Sequence, residues 1–116
     1  MNYSSFDAGE IVLVDFRFSD QIGHKLRPAM VITPTEYNAK TPDIIVLKIT
    51  STERQKAFEI GLNQPDLESG ILKKESVIRT DCPLVIEKQL VREKIAKITK
   101  IKLEEVKKQM TELYQT

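Results

Sequence analysis

The stretch "GHKLRPAMVIT", Gly23 to Thr33, crowds His24, Lys25 and Arg27 ahead of Pro28. Arginine presents a planar, permanently charged fork that grips a phosphate through parallel hydrogen bonds. Pro28 restricts the residue before it to an extended backbone, so Arg27 should run straight into a strand. Hydroxyls stand at the end of another apolar run, "IIVLKITS", where Thr50 and Ser51 can donate to a phosphate oxygen. If the two strands are neighbours, an arginine and a threonine meet at one end of the sheet. The same residue types also fit a surface ion pair for Arg27 and a turn cap for Thr50, which are their commoner uses.

Other chemistries find little support. A zinc site needs clustered Cys and His ligands, and the sequence has one cysteine, Cys82, and one histidine, His24, far apart. No metal or other cofactor is expected. Neither GxxxxGK[ST] nor GxGxxG occurs, so phosphate-cradling nucleotide loops are excluded. A Cys82–His24 nucleophile pair is formally available, but no local signature of such an enzyme accompanies it, and a free cysteine commonly serves as a small apolar residue. Asp7, Asp15, Asp20, Asp43, Asp66 and Asp81 are scattered without a motif that would aim them at a pair of metals.

Short apolar runs must position these groups. "EIVLVDF" (Glu10 to Phe16), "PAMVIT" (Pro28 to Thr33), "IIVLKIT" (Ile44 to Thr50), "AFEIGL" (Ala57 to Leu62) and "SVIR" (Ser76 to Arg79) read as strands, with Pro28 at the first position of its strand. "PTEYNAKTPD" and "NQPDLESG" read as polar connections, and "EKIAKIT" (Glu93 to Thr99) fits strand or helix. Leu103, Val106, Met110 and Leu113 recur at helical spacing, with Thr99 as N-cap and Lys102 where a capping box would need Glu. Short strands at regular spacing and one closing helix predict a small antiparallel β-barrel.

At 116 residues the chain should form a single domain over residues 1–116. With 41% hydrophobic and 30% charged residues it has the composition of a soluble globular protein. No apolar run approaches the roughly 20 residues that span a bilayer, so no membrane partner is expected. No signal-like segment opens the sequence, and one cysteine rules out an internal disulfide; both point to the cytoplasm. A net charge of +1 means that any nucleic-acid site is a local patch. The lysine-rich segment from Lys88 to Lys108 is most simply a solvated helix face.

The run "GEIVLVDFRFSDQIGHKLRPAMVIT" resembles the opening of the MazF/PemK family of toxin endoribonucleases, in the branch with the pattern F-x-F-S-D-x-x-G-x-K-x-R-P-A-x-V-I. "TEYNAKTPDIIVLKITS", "SGILKKESVIRTD" and "IAKITKIKLEEVKKQM" are similar to that family's later blocks, so the resemblance covers nearly the whole chain. It implies a mainly β fold with accessory helices, an SH3-like barrel closed by a C-terminal α-helix. It also implies a homodimer, metal-independent cleavage of single-stranded RNA, and a cognate antitoxin partner, with any DNA contact made only through the antitoxin complex. By position the resemblance assigns the catalytic arginine to Arg27 and the catalytic threonine to Thr50. It assigns the pocket-shaping loop to Ser19, Asp20 and Gln21. Lys25 and Leu26 lengthen the loop before the arginine, and Arg17 stands where the family often has proline between two phenylalanines.

RNA cleavage without a metal uses the ribose 2′-OH as nucleophile, leaving the protein to position groups, move protons and stabilise the phosphorane. His24 is a candidate base, while Lys25, Ser51 and Arg79, with Arg17, are candidate RNA contacts. Phe18, Tyr37 and Phe6 are the aromatic residues available for stacking on bases. Two other functions fit the same fold: a non-nuclease toxin such as a CcdB-type gyrase poison, or a catalytically silent binding or autorepressor module. The first would place activity on the C-terminal helix and leave Arg27 dispensable.

Overall fold

The computed structural model describes residues 5–16, 25–51 and 58–115. Among these, β1 (Glu10–Phe16), β2 (Lys25–Val31), β3 (Asp43–Thr50), β4 (Glu59–Leu62), β5 (Leu67–Gly70), β6 (Ser76–Glu87) and β7 (Val91–Ile98) form one antiparallel sheet. Its order is β4-β6-β3-β2-β1-β7-β5, with β4 and β5 as edges that do not pair with each other among the described residues. The sheet therefore curls into a half-barrel, in keeping with the barrel class read from the sequence.

Alternation along the strands gives the sheet two apolar faces. Ile11, Met30, Leu47, Ile49, Ile60 and Ile78 pack on one side under α2 (Lys100–Leu113), which inserts Val106 and leans Leu103 and Met110 against them. Val12, Val14, Ala29, Val31, Ile44 and Val46 pack on the other, with Phe6 fully buried among them. Each large aliphatic side chain so buried contributes about 1.5–3 kcal/mol. The helix starts where the sequence places it: the Thr99 hydroxyl accepts from the Lys102 amide at 3.2 Å. Two of its four lysines are paired, Lys102 with Asp66 and Glu105 and Lys107 with Glu104.

Several boundaries differ from the sequence reading. β2 begins at Lys25, because Phe16 pairs with Lys25 and the ladder with β1 is continuous from there. Pro28 thus lies inside the strand, tolerated because pairing with β3 starts only at Ala29. "TEYNAK" is a short helix, α1 (Thr35–Lys40), not a loop. Its buried Asn38 donates to the carbonyls of Phe6 and Thr33, both at 2.8 Å, and accepts from the Thr33 hydroxyl at 2.5 Å. β6 runs through Cys82 and Pro83 to Glu87, and "EKIAKIT" lies within strand β7 and its exit. The "NQPDLESG" connection contains a single 3-10 turn, Gln64–Asp66, and the edge strand β5.

Candidate nucleic-acid interface

β2 and β3 are neighbours, with Ala29 opposite Lys48, Met30 opposite Leu47 and Val31 opposite Val46. Carried two residues past the end of that ladder, the same register sets Arg27 across from Thr50. Opposed residues of an antiparallel pair share a face. Arg27 and Ala29 on β2, with Val46, Lys48 and Thr50 on β3, therefore face the same way, on the side of the sheet away from α2. Val77 joins them through its pairing with Thr50. Toward Val31 and Val46 this face is buried core, whereas at Lys25, Arg27 and Lys48 it is exposed. Thr50 is half-buried and Ser51 exposed at the strand's end.

The electrostatics of this surface are uneven. Among the described residues no carboxylate comes within ion-pairing distance of Lys25, Arg27 or Lys48. Arg79, on the same face two residues beyond Val77, is differently placed. Its Nε donates to Asp81 at 3.0 Å and lies 3.8 Å from Glu59, the residue opposite it on β4. The hydrogen bond to Asp81 raises the arginine's pKa still further, against the opposing effect of burial. Its charge is thus held by two carboxylates. Strand alternation puts Arg79 and Asp81 of "RTD" on one face, so their pairing follows from residue spacing alone once the segment is extended.

β6 bows away from β3 beside Lys48: Leu47 pairs with Pro83 and Ile49 with Ile78, so residues 79–82 leave the ladder. Bulges of this kind re-aim side chains next to functional surfaces. Lys48 carries no signal of its own in the sequence because, within an apolar strand, its orientation toward Arg27 depends on the β2–β3 register.

Ser19, Asp20, Gln21 and His24, with Arg17 and Phe18, lie outside the described residues. Phe6 is fully buried, which removes it from the stacking candidates, while Tyr37 on α1 is 37% exposed. Cys82 is half-buried. No helix among the described residues is long and apolar enough to cross a membrane.

Comparison with known proteins agrees with this architecture. The family described as PemK-like, MazF-like toxin of type II toxin–antitoxin system matches residues 7–114. The endoribonuclease toxin MazF of Escherichia coli (strain K12) is 37% identical over 60 residues, 49% of this chain and 52% of that protein. The chain thus matches about half the length of these curated relatives. A MazE–MazF structure from Deinococcus radiodurans superposes with a TM-score of 0.77 at 26% identity, covering 92% of this chain and 94% of that one. A mycobacterial endoribonuclease in complex with its cognate antitoxin shares the fold, with a TM-score of 0.74 at 12% identity and 93% coverage of both chains. The chain belongs to the PemK-like, MazF-like toxin family of type II toxin–antitoxin systems.

Proposed function

We propose that the chain is a metal-independent endoribonuclease toxin that cleaves single-stranded RNA, with mRNA in the cytoplasm as its target. The observation that carries this reading is an exposed Arg27, unpaired among the described residues, in register with Thr50. Family membership and relatives named endoribonuclease support it.

In the proposed mechanism the ribose 2′-oxygen attacks the adjacent phosphorus after giving up its proton. The bond to the 5′-oxygen breaks, that oxygen takes a proton, and the products are a 2′,3′-cyclic phosphate and a 5′-hydroxyl. Arg27 meets the charge that grows on the non-bridging oxygens, where a planar two-pronged donor has most effect. Thr50, with Ser51 beside it, orients the phosphate, and Lys25 contacts the backbone. His24 is a candidate for the base and otherwise a substrate contact. Ser19, Asp20 and Gln21 are assigned to the pocket on the family resemblance. Arg79 would join the RNA surface by giving up its two hydrogen bonds to Asp81.

The proposed partners are a second copy of the chain, forming a two-fold dimer, and a cognate antitoxin that covers the Arg27–Thr50 face. The antitoxin complex of the mycobacterial fold relative supports that pairing. Purified protein incubated with a labelled mRNA transcript, with and without EDTA, tests the reading. Cleavage that persists in chelator and leaves 2′,3′-cyclic or 3′-phosphate ends supports it. Intact RNA, or strict dependence on Mg²⁺, overturns it.

A further inference from the structure

We propose that Lys48 is a backbone-phosphate contact for the RNA, holding the phosphate next to the one that is cleaved. This rests on the ribonuclease reading above and adds a residue and a direction to it. Lys48 is exposed, lies on the Arg27–Thr50 face and has no carboxylate within ion-pairing distance among the described residues. Beside it the β3–β6 register shifts, so that residues 79–82 have no ladder partner on β3.

The spacing gives the direction. A strand rises about 3.4 Å per residue, so side chains two residues apart on one face are separated by about 7 Å. Along the β2 axis Lys25 comes first, Arg27 with Thr50 next, and Lys48, opposite Ala29, last. Three cations without a carboxylate partner among the described residues therefore start from backbone positions about 7 Å apart along the seam, two on β2 and Lys48 one strand aside on β3. That step is comparable with the separation of adjacent phosphates in an extended single strand. Across the sheet, beyond Thr50, lie Asp81 and Glu59 around Arg79, which would repel a polyanion. The RNA backbone accordingly follows the β2–β3 seam, with the central phosphate at Arg27 and flanking phosphates at Lys25 and Lys48. A lysine suits a flanking position, since it supplies a point charge without the geometric demands of a reacting phosphoryl group.

The test is Lys48→Met, which removes the charge and keeps an aliphatic stem beside Ala29, with Lys48→Arg as the charge-restoring variant. Binding is measured to a mixed-sequence pool of 2′-O-methyl oligoribonucleotides, whose blocked 2′-oxygen prevents cleavage, across a salt series. Steady-state cleavage of an mRNA transcript is followed alongside. Lys48→Met should lower the slope of log affinity against log salt by about 0.7, the contribution of one phosphate on a single strand. It should also weaken binding by a similar factor for all sequences, raise KM and leave kcat near wild type, and Lys48→Arg should restore the slope. An unchanged slope in folded Lys48→Met overturns the inference, as does a loss confined to kcat. Wild-type protein that does not cleave RNA at all overturns the ribonuclease reading itself, which separates the two failures.

Discussion

The register of β2 and β3, extended two residues past its last pair, sets Arg27 opposite Thr50. The short β2–β3 ladder stops before the exposed arginine, which remains paired to β1 and is backed by the buried Ala29 and Val31 that continue its own face. Strand pairing fixes where each side chain starts from. The arginine's role should therefore be separable from folding.

Removing Arg27 tests that separation. Arg27→Ala should keep the wild-type circular dichroism spectrum and thermal midpoint while lowering kcat by roughly a hundred- to a thousandfold, the usual loss for a donor aimed at transition-state charge. Arg27→Lys should recover little, since an ammonium lacks the planar fork. Undiminished cleavage by folded Arg27→Ala protein would refute the assignment.

Thr50→Ala should impair cleavage less, because it deletes one neutral hydrogen bond, worth about 1 kcal/mol or several-fold in rate. Thr50→Ser keeps the hydroxyl and should stay within a few-fold of wild type. Single-turnover cleavage of one transcript by the two variants compares them directly; equal losses would mean that the methyl group, not the hydroxyl, matters.

How much of the fold and site is legible in the sequence follows from which signals are local. β1, β3 and α2 carry strong period-two or helical patterns, and their observed bounds lie close to those the patterns predict. β6 extends well past Arg79, although Asp81-Cys82-Pro83 looks like a stop; the proline is accommodated where the β3–β6 register shifts. β5, "LESG", has almost no strand propensity and is held by backbone pairing to β7. Residue type makes Arg27 and Thr50 candidates among commoner surface uses, and the family resemblance is what assigns them, yet their placement opposite each other rests on which strands pair and in which register. That information is tertiary, and Lys48 escapes a sequence reading for the same reason.

Asn38 ties the chain's first described segment to α1. Its amide donates to the carbonyls of Phe6 and Thr33, and the Lys88 ammonium donates to its backbone carbonyl at 2.5 Å. Asn38→Leu keeps the branched shape and heavy-atom count and leaves both buried carbonyls without their donor, at an expected cost of about 2–4 kcal/mol from the lost donor and the bulkier methyls together. Urea unfolding should show this as a lower midpoint at an unchanged slope. A loss below about 0.5 kcal/mol would mean that solvent reaches these groups after all.

The glycines make a sharp pair. Gly70 has φ +91°, and a Cβ there would lie 2.3 Å from the Ile95 carbonyl oxygen and 2.6 Å from the Ala96 Cα, both backbone atoms that cannot swing aside. Gly70→Ala should cost about 2–4 kcal/mol through backbone strain and overlap together. Gly61, on β4, has nothing within 4 Å of the same probe position, so Gly61→Ala should be neutral or slightly stabilising. Urea titration of both variants decides; equal effects would mean that the β5–β7 approach is looser than its geometry.

Arg79 gives the last test, because its two uses predict opposite results. Asp81 and Glu59 already hold its guanidinium, and its side chain is only 18% exposed, so its charge offers little to a phosphate outside. Arg79→Gln should therefore destabilise the β4–β6 edge by about 1–2 kcal/mol, between the values for exposed and fully buried pairs. The salt slope of RNA binding should stay within about 0.2 of wild type, against about 0.7 for the loss of a true phosphate contact. A slope lowered by a full phosphate's worth, with stability untouched, would instead return Arg79 to the RNA path and mean that it exchanges Asp81 for the substrate on binding.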